Sequence, residues 1–218
     1  MCWNQYVSIN TFLFSIFGLS LIAFNNKYSS YKLSFFDYPY VYVFMLSFIF
    51  MQLIEYILWR NLNNPTINNI VSILGLLLLT IQPIASLLMI NNNNLLRNKL
   101  LLVYSIPAAV YFVYNLLYTK IHTVLSPSGH LAWKWMSYLN SEHIHLFVNL
   151  FYLFFMFFSL VYNKYYKALT LLFMYIIVNY YFHKDGSAGS IWCLSANILI
   201  LYFLLQILVL LPFKEIMR

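Results

Sequence analysis

The sequence predicts an all-α membrane protein, a compact bundle of seven transmembrane helices that forms one domain over residues 1–218. The chain is 63% hydrophobic and only 8% charged, and its mean hydropathy is +0.76. Apolar runs of about 20 residues recur, each long enough to cross roughly 30 Å of hydrocarbon. The runs are continuously apolar rather than alternating, which favours helices over a β-barrel.

The seven predicted spans follow one another with short connections, so no separate soluble domain is expected. The first span lacks a positively charged segment before it and a small-residue cleavage pattern after it. We therefore expect a helix there rather than a signal peptide. The spans cover approximately Val7–Phe24, Tyr40–Trp59, Ile70–Ile90, Lys99–Tyr118, His143–Tyr162, Tyr165–Phe182 and Ser190–Pro212.

The longest connection, residues 119–142, lies between the fourth and fifth spans. Its first half contains a Ser-Pro-Ser-Gly turn signal at residues 126–129. Its second half, His130–Asn140, contains two tryptophans and is too short to span a bilayer. This half predicts a short amphipathic helix in the headgroup layer, and the alternative is a lid folded over the mouth of the bundle.

The distribution of basic residues predicts the orientation. Loops on the side of the amino terminus carry four basic residues, and loops on the opposite side carry eight. The positive-inside rule therefore places the amino terminus outside or in a lumen and the carboxyl terminus in the cytosol, in a multi-pass integral membrane protein. The formal charge of +7 then reflects helix ends that meet anionic headgroups, not nucleic-acid binding. The outer residues are Arg60, Lys120, Lys134 and Lys184, and the inner ones are Lys27, Lys32, Arg97, Lys99, Lys164, Lys167, Lys214 and Arg218.

Glu55 is the only acidic residue inside a predicted span. It lies about one helical turn inside the outer boundary, which is marked by Trp59 and Arg60. A charge at that depth is costly unless it is paired, protonated or in contact with water, and intramembrane carboxylates usually serve a function. Gln52, Glu55 and Trp59 share one helix face by their spacing. The alternative is a glutamate that reaches Arg60 or the surface and only packs.

Polar residues recur at the outer ends of four other predicted helices. Each stripe alone is compatible with ordinary hydrogen bonding between helices. Their common depth predicts a shared polar vestibule that opens to the outer side. The predicted transport or pocket residues are Glu55, Gln52, Trp59, Asn115, His122, His145, Asn149, Asn179, His183, Cys193 and Asn197.

All five histidines, all five tryptophans and both cysteines fall on the predicted outer side. Cys2 and Cys193 could form a disulfide if the first and last helices are neighbours, and two unpaired thiols are the alternative. A bound zinc ion is a further hypothesis, although no compact zinc-binding motif is present. Its candidate ligands are Glu55, His143, His145, His183 and Asp185.

These features favour a transport protein, either a channel or a small carrier, that binds a proton, a small cation or another small molecule at Glu55. Histidines at the mouth titrate near neutral pH and could gate or relay protons. The first alternative is a membrane-embedded enzyme that acts on a lipid or headgroup in the same cavity. The second is a ligand-binding or scaffold protein without turnover. No catalytic residue is identified and no cofactor is required. The expected partners are the lipid bilayer and a small ligand, with a homo-oligomer as an open question.

Overall fold

The computed structural model of the chain describes residues 4–134, 142–182 and 195–216. The architecture is all-α apart from one short hairpin, with seven principal helices counted in these ranges. The elements are α1 (Gln5–Tyr28), a 3₁₀ turn (Ser34–Phe36), α2 (Pro39–Arg60), α3 (Pro65–Leu87), α4 (Asn94–Tyr118), β1 (Thr123–Leu125), β2 (Leu131–Trp133), α5 (Glu142–Tyr162), α6 (Tyr166–Phe182), α7 (Ser195–Leu205), a π-helical turn (Gln206–Leu210) and α8 (Leu211–Ile216).

Four helices of the described part, α1 to α4, are long and apolar enough to cross a membrane. They contain 24, 22, 23 and 25 residues, close to the length that a bilayer requires. Shorter apolar stretches occur at Phe147–Tyr162 and Asn197–Phe213. The prediction of an all-α protein with membrane-compatible helices is therefore confirmed.

Three of the long helices begin earlier than their apolar runs, because asparagine side chains cap their amino termini. Asn4 Oδ1 accepts a hydrogen bond from the amide of Val7 at 3.0 Å. Asn64 and Asn93 accept in the same way, at 3.2 and 2.9 Å, from the third residue of α3 and of α4. Such caps satisfy amide groups that have no partner within the helix. The asparagine-rich connections therefore contain helix start signals.

Helices α2 and α3 form the centre of the bundle. Helix α3 packs against α2, α4 and α5, and α1 packs against α2 and α7. Helix α6 contacts α5 and α7. In the apolar 18-residue segment of each helix, 56% of the residues are buried in α2 and in α3, against 28% in α1 and 17% in α4. A polar residue on α2 or α3 is consequently more sheltered than one on the outer helices.

The connection after α4 does not follow the prediction. Strands β1 and β2 pair antiparallel, with Val124 opposite Ala132. The turn between them contains Gly129 with φ of 78°, a left-handed conformation that glycine adopts without strain. The amphipathic helix predicted for His130–Asn140 is therefore wrong at its start, since Leu131–Trp133 is a strand. Residues 135–140 of that prediction lie outside the described residues.

The last apolar run is also more complex than one helix. Helix α7 continues through the π-helical turn at Gln206–Leu210 into α8. The side-chain amide of Gln206 donates to the hydroxyl of Tyr202 at 2.6 Å, one turn earlier. The predicted beginning of this span, at residues 190–194, lies outside the described residues.

Candidate functional site

Glu55 and Gln52 lie on the inner face of α2, and both are fully buried. Met51 and Leu58 share this face and belong to an apolar cluster with residues of α3 and of the hairpin. Trp59 is partly exposed, but its indole nitrogen is buried and has no hydrogen-bond acceptor among the described residues. The carboxyl group predicted to be functional is therefore inside the protein and does not face lipid.

The hairpin packs against the second half of α2 and the first turns of α3. Asn68 of α3 donates to the carbonyl of Thr123 and accepts from its amide, both at 2.9 Å. The hydroxyls of Ser72 and Thr123 are 2.8 Å apart, and Asn69 donates to the carbonyl of Ile121 at 2.7 Å. Because the bonds to Thr123 lie between buried groups, they fix the hairpin against the first turns of α3.

A second polar group lies deeper in the bundle, where α2, α3 and α5 meet. Gln82 of α3 is fully buried. Its amide nitrogen donates to the carbonyl of Ser47 at 3.2 Å, and its amide oxygen accepts from the hydroxyl of Tyr152 at 2.5 Å. One side chain thus links three helices. Tyr152 and Ser47 were not among the predicted site residues.

A third polar group lies one turn farther along α3. Ser86 donates to the carbonyl of Met156 at 2.6 Å and shares a hydrogen bond of 2.6 Å with the hydroxyl of Ser159. Ser86 and Ser159 are both fully buried. Beyond them, the amide of Asn163 donates to the carbonyl of Met89 at 3.0 Å. These contacts continue the polar interface toward the opposite end of the bundle.

Together these polar groups lie on α3 and on the helices that pack against it, and we call this set the polar file. On α3 itself the buried residues between Ser72 and Gln82 are apolar. Asn68 and Ser86 are eighteen residues apart, which corresponds to about 27 Å along a helix, close to the thickness of the hydrocarbon core. Glu55 lies eight residues, or about 12 Å, from Ser47 along α2. The members of the polar file on α3 are Asn68, Ser72, Gln82 and Ser86, and those on α2 are Ser47, Gln52 and Glu55. Tyr152 and Ser159 lie on α5, and Asn163 directly follows it.

The α5 part of the polar file follows a pattern that is visible in the sequence. Tyr152, Ser159 and Asn163 are spaced by seven and four residues, and Met156 completes the same face. This spacing places all four on one side of a helix. The signal was obscured because the surrounding residues are almost all aromatic or aliphatic.

Other predicted pocket residues take separate positions. Asn115 is buried but donates to the carbonyl of Tyr111 in its own helix at 2.8 Å. His122 follows the end of α4 and is not part of that helix, and its Nδ1 lies 2.9 Å from the carbonyl of Lys120. Asn149 is exposed. Asn197 is buried against α1, where its Oδ1 accepts from Ser15.

Several predicted residues fall outside the described part of the structure. His143 and His145 belong to the first turn of α5, and Asn179 belongs to the last turn of α6, but their side chains lie outside the described residues. His183, Asp185, Cys193 and Cys2 lie outside them entirely. Within the described ranges, no three histidine, cysteine, aspartate or glutamate residues are grouped as metal ligands. The zinc and disulfide hypotheses stay predictions.

The chemistry available along the polar file is that of neutral hydroxyls and amides with one carboxyl group near one end. Hydroxyls both donate and accept hydrogen bonds, and carboxyl and amide oxygens can replace part of the hydration shell of a cation. Comparison with protein-family models, with curated proteins and with solved structures finds no match to this chain.

Proposed function

We propose that this protein is a membrane transport protein of the carrier type, which moves protons or a small cation along the interface of α2, α3 and α5. Glu55 is the acidic group that binds the transported ion. The observation that carries the proposal is the polar file, because it places buried polar groups near both ends of α3 and on the neighbouring helix α2.

The proposal includes the orientation. All seven helices cross the membrane, with the amino terminus outside or in a lumen and the carboxyl terminus in the cytosol. The excess of basic residues at the opposite helix ends supports this arrangement. Glu55 then lies near the outer face and Asn163 near the cytosolic face, so the polar file connects the two sides.

Full burial of Glu55 favours a carrier or relay over a channel that is always open. A carboxyl group buried in an apolar region is more stable protonated or paired with a cation than as a solvated anion, which suits a group that binds and releases a transported ion. In this proposal the docked hairpin, which packs with Met51 and Leu58 on the same face of α2, covers the outer approach to Glu55. Transport therefore requires the hairpin or the neighbouring helix ends to move.

The test is a flux measurement on the purified full chain in liposomes, with a pH-sensitive dye inside and an imposed membrane potential. We expect Glu55→Gln to reduce proton flux at least tenfold, because the amide cannot bind a proton at neutral pH. Asp37→Asn makes the same chemical change at an exposed residue and should leave flux unchanged. Sodium and potassium gradients with the corresponding dyes identify the ion if it is not a proton.

The middle of the polar file needs its own variants. Gln82→Leu and Ser159→Ala remove polar groups between the two ends and should each reduce flux severalfold. Ser20→Ala is the matched control, because that hydroxyl is exposed and bonds only to its own helix, at the carbonyl of Ile16. Wild-type liposomes without proton or cation flux, or unchanged flux in folded Glu55→Gln, would refute the transport function.

A further inference from the structure

A pocket of about 320 Å³ lies between the first turns of α1 and the last turns of α2. Its lining combines one cationic side chain, two phenols and one amide over a single aliphatic residue. Glu55 does not line it, since that side chain is buried on another face of α2. The lining residues are Gln5, Tyr6, Ile9, Tyr56 and Arg60.

Arg60 is held in place at the edge of this pocket. Its Nη1 donates to the hydroxyl of Tyr56 at 3.1 Å, and its guanidinium lies 6.0 Å from the centroid of the Tyr56 ring. Within the described part of the chain, Arg60 forms no ion pair with a carboxylate, and the first turn of α1 contains no acidic residue. The positive charge is therefore oriented but not neutralised by these residues.

The donors around Arg60 suit an oxyanion with several acceptor oxygens. The planar guanidinium has five N–H groups and binds phosphate through two parallel hydrogen bonds, while only one is used by Tyr56. The Tyr56 hydroxyl accepts from Arg60 and keeps its own proton for donation. The phenol of Tyr6 and the amide of Gln5 supply further donors at the same pocket.

The depth of the pocket agrees with this chemistry. Helices α1 and α2 are about 36 and 33 Å long by their residue numbers, slightly longer than the hydrocarbon core. If both span the membrane, their ends at Gln5 and Arg60 reach the layer of lipid phosphates. Ile9 then faces the pocket from the side on which acyl chains begin.

We propose that this pocket binds a phosphate group, carried by a phospholipid headgroup or by free phosphate, with Arg60 as the main ligand-binding residue. The site is separate from the polar file and does not depend on the transport function. Arg60 binds two phosphate oxygens, and Tyr56 both orients Arg60 and donates to the ligand.

The test measures thermal unfolding of the full chain in neutral detergent by tryptophan fluorescence. Two probes distinguish the sources of phosphate. Inorganic phosphate is compared with chloride at equal ionic strength, and dihexanoyl phosphatidylglycerol is compared with dihexanoylglycerol, which lacks the phosphate. We expect a saturable rise in Tm with phosphatidylglycerol. Saturation by inorganic phosphate at similar concentrations assigns free phosphate, and saturation by the lipid alone assigns a headgroup.

The variants assign the binding to this pocket. Arg60→Met should raise the half-saturating probe concentration at least tenfold, and Arg60→Lys should give an intermediate loss because it keeps the charge without the planar fork. Lys27→Met is the matched control, because Lys27 is also an exposed cation beside a tyrosine. Its Nζ lies 5.1 Å from the centroid of the Tyr28 ring. Tyr56→Phe gives a second, milder loss. Equal half-saturation in wild type and Arg60→Met, or no saturable rise with either probe, overturns the proposal.

Discussion

The hydroxyl of Ser15 donates a buried hydrogen bond of 2.7 Å to Oδ1 of Asn197, and this bond joins α1 to α7 across 182 positions of sequence. It brings α1 and α7 side by side. Asn197, predicted to line a vestibule, therefore takes part in helix packing. The same crossing contains Gly18, where an added Cβ would overlap the side chain of Ile200.

The Ser15–Asn197 bond should contribute measurably to stability. In a double-mutant cycle of Ser15→Ala and Asn197→Leu, we expect a coupling energy of about 0.6–1.5 kcal/mol, because interhelical hydrogen bonds in membranes are modest. Reversible unfolding in mixed detergent micelles measures it. Ser20→Ala, paired with Asn197→Leu, should show no coupling, and coupling of equal size there would contradict the assignment.

Gly18 should be intolerant of even one added methyl group. Gly18→Ala should lower the free energy of unfolding by about 1–3 kcal/mol, since the new Cβ overlaps Ile200 in a close-packed crossing. The double variant with Ile200→Ala removes the overlapping methyl group and should recover part of that loss. If Gly18→Ala is as stable as wild type in unfolding experiments, α1 and α7 do not cross this closely.

Asn68 should control the docking of the hairpin. Asn68→Ala removes the two hydrogen bonds to Thr123 and leaves its buried amide and carbonyl without those partners, a loss of about 2–3 kcal/mol. We expect hydrogen exchange at the Thr123 amide to accelerate at least tenfold. Asn61→Ala is the control, because the Asn61 amide bonds only to the carbonyl of Ile57. Equal exchange in both variants would show that Asn68 does not hold the hairpin.

Tyr165 should make stability sensitive to alkaline pH. This residue lies in the short connection between α5 and α6, and its pKa is raised from 10.0 first by burial and second by the negative charge of Asp37. Because the folded state holds the proton more tightly, the unfolded state ionises first as pH rises above about 10. The stabilisation is therefore complete below that pH and is lost through the more alkaline range.

Unfolding measurements between pH 9 and 11 check this sign. The stability of wild type should fall more steeply with pH than that of Tyr165→Phe. This variant removes only the hydroxyl and keeps the ring, whose centroid lies 4.7 Å from that of Phe35 in an edge-on contact. Asp37→Asn should reduce the slope by a smaller amount, because it removes only the second cause. Parallel curves for wild type and Tyr165→Phe would contradict the raised pKa.

The positions of the helices were largely predictable because hydrophobic length is a local property. The second predicted span, Tyr40–Trp59, differs from α2 by one residue at each end, and the fifth, His143–Tyr162, begins one residue late. The larger errors, at the starts of α3 and α4, arose because Asn64 and Asn93 cap the helices outside the apolar runs. Reading those asparagines as caps would have corrected both boundaries.

The candidate site was predicted only in part. Glu55 and Gln52 stand out because polar residues are rare in apolar spans, and the structure buries both of them. Asn149 carries the same signal and is exposed, whereas Tyr152 and Ser159, which the sequence does not single out, are joined to Gln82 and Ser86. The residue type alone does not show which face of α5 meets α3.

The sequence by itself determined which segments are helical and apolar enough for a membrane. Both properties are local, because the backbone hydrogen bonds of a helix form within it and its hydropathy depends only on its own residues. Only the tertiary structure decided which polar residues meet. The rotation of each helix and the identity of its neighbours depend on packing between segments far apart in the chain, as for Ser15 with Asn197 and for Tyr152 with Gln82. The hairpin belongs to this second class, because its short strands are held by Asn68 and Ser72 of another element and not by a strong local pattern.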